Sequence, residues 1–158
     1  MTNEQIQQYT LRITQASKTQ IIVILYDMIL DDVESARNAY RENDYETYKN
    51  QCNHIKRCVS DLIEALNFDY EISLNLRQLY LYINREASAA VTRKDPTRLE
   101  MIQKIAENLK EAFLKISEQD SSGPIMENTQ AVYAGLTYGK GSLTENLQDQ
   151  GSTRGFRI

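Results

Sequence analysis

The chain has 158 residues, with 18 Lys and Arg against 22 Asp and Glu, one His and two Cys, giving a formal charge of −4. That length accommodates one domain with a true core and is short for two. No basic block is denser than Arg93-Lys94, so neither nucleic acid nor an anionic membrane surface is an expected partner; no leader pattern or bilayer-length apolar run is present, and a cytoplasmic protein is expected.

All six glycines follow residue 122, together with Pro124. Residues 1–120 are therefore predicted to be a helical domain that includes an N-terminal arm over 1–16, and residues 121–158 a Gly-rich C-terminal tail. The arm carries sparse apolar positions at Ile6, Tyr9, Leu11 and Ile13, which suit a short helix or an extended segment. Ser17 and Gln20 have the spacing of a capping box, so a helix is predicted over 18–41. Its core stripe is Ile22, Leu25, Ile29, Val33, Ala36 and Tyr40. Asp27 is the only frankly polar side chain between Ile21 and Leu30, leaving Ile21, Val23, Ile24, Met28 and Leu30 off that stripe. Such width exceeds what one core-facing stripe needs.

Asn43-Asp44 supplies a turn and a cap. The next helix places Tyr48, Cys52, Ile55, Val59, Leu62 and Leu66 in a bundle-like seam. Cys52 and Cys58 lie about 9 Å apart along that helix, too far to bridge, and read as reduced, partly buried residues. After a break over 67–73, a third helix presents Leu76, Leu79, Ile83, Ala87 and Ala90 to the core, with Tyr80 flanking. Leu74 and Leu81 form a second, outer stripe, with Tyr82 nearby. Asp95-Pro96 opens a fourth helix with Leu99, Ile102, Ile105 or Ala106, Leu109, Phe113 and Ile116 on one stripe. The fold class is all-α, an antiparallel up-down four-helix bundle with a short N-terminal arm and an extended, mostly irregular tail. Tail residues Tyr133, Leu136, Tyr138, Leu143 and Leu147 are spaced as if to dock on the body and compete with a partner.

The residues carry no pattern for catalysis or a cofactor. A di-metal carboxylate bundle needs Glu-x-x-His pairs, but the single histidine, His54, has Gln51 where the glutamate would stand. His54 falls on the flank of its helix and reads as solvated or locally hydrogen-bonded. No base is placed near either cysteine and no glycine in the body forms a phosphate loop. The extra apolar width of the first and third predicted helices points instead to a surface that receives an amphipathic helix or is covered by the chain's own arm and tail.

Tyr9, Ala16-Ser17 and Leu25-Tyr26-Asp27, followed by Leu76, Leu79, Tyr80, Tyr82, Ile83 and Asn84 and then by Asp95, are similar in order and spacing to the flagellar secretion chaperone family FliS. Lys18, Met28, Val91 and Phe113 depart from the proline, glycine, asparagine and tryptophan frequent in that family, and the tail runs longer. The resemblance implies a non-enzymatic export chaperone that binds the helix-forming C-terminal segment of flagellin, prevents early polymerisation and delivers it to the flagellar export apparatus. It further implies that the arm covers part of a hydrophobic groove. The partner-binding residues expected on this basis are Ile6, Tyr9, Ile13, Ile21, Ile24, Leu25, Tyr26, Met28, Leu74, Leu79, Tyr80, Leu81, Tyr82 and Ile83. Without client, the same apolar width is open to a second copy of the chain, and the sequence leaves the choice between monomer and homodimer open. The other reading is a helical adaptor or regulatory scaffold for another flagellar protein.

Overall fold

A computed structural model of the chain describes residues 1–126, which fall into two units, residues 1–16 with 123–126 and Ser17–Ser122. The docking expected of Tyr133, Leu136, Tyr138, Leu143 and Leu147 lies outside the described residues. All regular structure among the described residues is helical.

The first unit contains α1 (Asn3–Thr14). Of the two forms expected for this arm, the helix is adopted, because Thr2 and Gln5 close a capping box: each side chain accepts the other's backbone N–H, at 3.2 and 2.9 Å. Tyr9 and Thr14 are buried, and the Arg12 guanidinium lies 5.4 Å from the Tyr9 ring centre. The Ile125 N–H donates to the Ala16 carbonyl at 3.2 Å.

The second unit holds α2 (Lys18–Arg41), α3 (Tyr45–Glu64), α4 (Ile72–Arg93) and α5 (Leu99–Gln119). Ser17 and Gln20 form the expected capping box at the start of α2. Asn43 then turns the chain with a φ of 59°, a left-handed conformation that Asn tolerates better than most residues, and Asp44 caps α3 by accepting from the Thr47 N–H at 3.1 Å. Lys94, at φ 50°, ends α4. Asp95 and Pro96 do open the next element, but as a 3₁₀ turn over Pro96–Arg98 that leads into α5.

Helix α2 packs on α3 and α5, α3 packs on α4, and α4 packs on α5. Ile29, Ile55, Ile83 and Ile102, one from each helix, are fully buried; each such side chain contributes about 1.5–3 kcal/mol relative to exposure. Two positions expected in the core lie outside it. Leu79 is 38 % exposed and its neighbour Tyr80 takes the buried place, so the seam of α4 is Ser73, Leu76, Tyr80, Ile83, Ala87 and Ala90. Leu76, Ile83, Ala87 and Ala90 keep their expected places, and Tyr80 replaces Leu79 with its hydroxyl 2.5 Å from that of Tyr26 on α2, giving two otherwise unpaired phenols a partner. Ile116 is also exposed. A seven-residue pattern on a straight helix drifts about 20° per heptad, and α5 has turned away by its last turn.

Within α2, Ile22 and Tyr40 are half-buried against the core, whereas Tyr26 and Ala39 join it. None of residues 21–30 is exposed. Asp27, the one frankly polar side chain there, meets Lys110 of α5 at 2.6 Å. His54 follows the hydrogen-bonded alternative: its Nδ1 lies 2.5 Å from Oδ2 of Asp32, which is buried.

Candidate partner-binding cleft

The chain ends of four elements converge on an apolar cleft of about 450 Å³ within the second unit. Ile22 comes from the first turns of α2, Leu62 from the last turn of α3, Leu66 and Tyr70 from the segment that follows it, Ile72 and Leu76 from α4, and Phe113 from α5. Tyr80 forms part of the lining while its hydroxyl points to Tyr26, whose ring centre is 5.8 Å from that of Phe113. The inner residues Leu62, Leu76 and Tyr80 are buried. The rim residues Tyr70 and Ile72 are 65 % and 62 % exposed, and Phe68 adds a further exposed ring in the same turn.

Polar contacts fix the rim. The Thr19 hydroxyl donates to the Asp120 carboxylate, joining the start of α2 to the residue that follows α5. The Ser122 backbone N–H and hydroxyl both donate to the same carboxylate. These bonds, the Ser122 hydroxyl foremost, hold the Asp120 carboxyl well below its usual range. Across the cleft, the Ser73 hydroxyl donates to the Asn67 carbonyl at 2.5 Å and the Asp69 N–H to Asn67 Oδ1 at 3.0 Å. The turn that carries Tyr70 is thereby tied to α4.

The residues expected to bind a partner do not all meet at this cleft. Tyr80 lines it. Leu25, Tyr26 and Ile83 are core residues, Ile24 is buried, and Ile21 and Met28 are half-buried against the core. Leu79 and Ile72 lie seven residues apart, beside the α4 seam. At 100° per residue, Leu74 and Leu81 lie roughly 140–160° around the helix from Leu76, on the outward face; both are exposed. Tyr82 is half-buried under the Arg85 guanidinium, 5.4 Å from its ring centre. On α1, Tyr9 is buried, Ile13 half-buried and Ile6 exposed.

Ile22, Leu66, Tyr70, Ile72 and Phe113 escaped the sequence-based site. The available signal was the turn over 67–73, in which Phe68, Tyr70 and Ile72 stand among Asn, Asp and Glu. Three large apolar side chains are more than a solvated turn requires.

A second hollow, about 430 Å³, runs between α2 and α5 past Asp31, Glu34, Arg37 and Glu107. Arg37 donates to Gln103 across it. Charged side chains of both signs make it a poor seat for an apolar helix face.

Against the expectation that no base stands near either cysteine, the packing of α3 places His54 Nδ1 4.0 Å from Cys58 Sγ; both thiols are nevertheless buried. Burial pushes Cys52 up to about 11 and Cys58 up to about 12, so both remain protonated at neutral pH. No helix among the described residues is long and apolar enough to cross a membrane. Residues 1–120 match the family model described as flagellar protein FliS. No curated protein matches the chain.

Proposed function

The chain belongs to the FliS family of flagellar export chaperones, and we propose that it binds the helix-forming C-terminal segment of flagellin in the cytosol, at the apolar cleft and the adjoining exposed side chains of α4. The observation that carries this reading is the cleft itself: an apolar hollow with large exposed side chains on its rim. An amphipathic helix is bound by such a surface through anchors spaced three and four residues apart. A hollow of this size seats only part of a long client helix. The remainder runs along the side of α4 that carries Ile72 and Leu79.

We further propose that α2–α5 form an antiparallel up-down bundle. Supporting contacts are Asp27 with Lys110 and Arg37 with Gln103, whose numbers run in opposite senses along α2 and α5. Tyr26 with Tyr80 and Tyr40 with the Lys94 carbonyl advance together, as diagonal helices of such a bundle do. This arrangement brings the start of α2 and the end of α3 to the same end of the bundle. Binding there needs no catalysis and no cofactor. It keeps the client segment from polymerising until the export apparatus takes it.

Titration calorimetry with a flagellin C-terminal peptide tests the reading. Each Leu- or Ile-sized anchor contributes about 1.5–3 kcal/mol on burial, so Ile72→Ser is expected to weaken binding by roughly 10- to 100-fold. Leu81→Ser, on the outward face, is expected to leave affinity unchanged. Loss of binding in Leu81→Ser with full binding in Ile72→Ser would move the site to the outer stripe, and absence of binding by the unmodified chain would remove flagellin as the client.

A further inference from the structure

Helices α2 and α3 meet at a cluster of metal-ligand side chains that client binding does not use. His54 and Cys58 are four residues apart on α3, so their side chains share one face on successive turns. Asp32 faces them from α2. One ligand atom from each, a carboxylate oxygen, a ring nitrogen and the thiol sulfur, lie within 4.8 Å of one another. His54 Nδ1 is 2.5 Å from Asp32 Oδ2 and 4.0 Å from Cys58 Sγ.

A second observation at the same place points to a ligand. Asp32 is 1 % exposed, yet its Oδ1 has no hydrogen-bond partner. A buried carboxylate oxygen without a donor is an unfavourable arrangement that calls for a cause. The His54 side chain keeps 22 % of its surface exposed, so the cluster has a route to solvent.

We propose that Asp32, His54 and Cys58 form a binding site for a divalent transition-metal ion of the zinc type. The ion is held by a carboxylate oxygen, the imidazole Nδ1 and the thiolate, with a fourth position open toward solvent. The oxygen, nitrogen and sulfur donors favour such an ion over magnesium or calcium, which take oxygen ligands. Ordinary zinc bond lengths in a tetrahedron place nitrogen and oxygen about 3.4 Å apart and nitrogen and sulfur about 3.6 Å apart. The first separation must open and the second close, each by less than about 1 Å. As the ion binds, the Cys58 thiol gives up its proton to solvent and binds as the thiolate, while His54 presents Nδ1 with its proton on Nε2.

The test uses the full chain, stripped of metal by a chelator, titrated with Zn²⁺ in a calorimeter and with Co²⁺ by absorption spectroscopy. Expected are one tight site per chain and a Co²⁺ spectrum with intense ligand-field bands and a thiolate charge-transfer band. Cys58→Ser is expected to remove that band, and Cys58→Ser and His54→Gln each to weaken Zn²⁺ binding at least about tenfold. Cys52→Ser leaves both unchanged, since Cys52 lies outside the cluster. Circular dichroism identifies any variant that fails to fold; for that variant, the Co²⁺ spectrum of the Cys52→Ser chain, whose one thiol is Cys58, replaces the comparison. Binding by Cys58→Ser as tight as by the unmodified chain overturns the proposal. So does a Co²⁺ spectrum without the thiolate band in either the unmodified or the Cys52→Ser chain. None of these readouts involves flagellin, so the site stands or falls separately from the client.

Discussion

Removing the hydroxyl of Tyr80 isolates the contact that accompanies its burial in place of Leu79. The Tyr26 and Tyr80 hydroxyls meet at 2.5 Å with both side chains almost wholly buried. Burial is the main cause that raises the titration of both, so both stay neutral and act as a donor–acceptor pair. Tyr80→Phe leaves the Tyr26 hydroxyl buried without its partner, and Tyr26→Phe does the reverse. An unsatisfied buried group costs about 1–3 kcal/mol, whereas replacing both partners by apolar groups of similar shape is nearly neutral. Each single variant is therefore expected to lose about 2 kcal/mol, and the double variant less than either. Urea unfolding measures this directly. With an m value of about 2 kcal/mol/M, each single variant should shift the midpoint down by about 1 M. The refuting result is additivity: a double variant whose loss equals the sum of the two single losses means that the hydroxyls do not act as a pair.

Other perturbations separate core, caps and thiols. Ile83→Ala, at a fully buried position, is expected to lose about 2–5 kcal/mol in thermal or urea unfolding; Ile116→Ala, at an exposed one, should stay within about 0.5 kcal/mol. The carboxyls of Asp44, Asp95 and Asp120 are all held below their usual value, foremost by the side-chain hydrogen bonds of Thr47, Thr97 and Ser122. Because the folded chain holds them more acidic than the unfolded one, their stabilisation is complete above the ordinary value of 3.8 and is lost as pH falls through and below it. Asp95→Asn with Asp120→Asn should flatten the acid limb of a urea-midpoint profile, and an unchanged limb would show that these caps carry none of it. Cys52 and Cys58, buried and protonated at neutral pH, should react slowly with alkylating reagents in the native chain and rapidly in denaturant, as followed by mass spectrometry.

Helix positions were legible because their signals are local. Ser17 with Gln20, Asp44 with Thr47 and Asp95 with Pro96 each act within a few residues, and each caps an element where the spacing places it. Periodicity also fixed most of the buried set, including Ile29, Val33, Ile55, Val59 and Ile102. It failed at Leu79 and Tyr80, where two adjacent apolar residues fit the stripe equally well by spacing. The choice between them depends on Tyr26, 54 positions away. Asp32 was missed for the opposite reason, since a carboxylate is normally read as solvent-facing. Yet it lies three residues after Ile29 and four before Ala36, on the buried side of α2, where a charge needs a partner. His54 was that partner, and only the packing of α3 on α2 brings the two together.

The candidate cleft was harder to read because no single element contains it. Ile22, Leu66, Tyr70, Ile72 and Phe113 come from four stretches of chain, and each looks like an ordinary core or turn residue within its own stretch. The excess of apolar residues over 21–30 goes largely into the fold: Leu25, Tyr26 and Ile29 are core, while Ile21, Met28 and Leu30 pack half-buried against it. The surface proposed for a partner lies where helix termini leave side chains with neighbours on one side only. There the exposed Tyr70 and Ile72 stand beside the buried Leu62 and Leu76. An apolar face can enter that hollow and cover the rim residues while the helix core remains packed, so binding and release need not unfold the bundle.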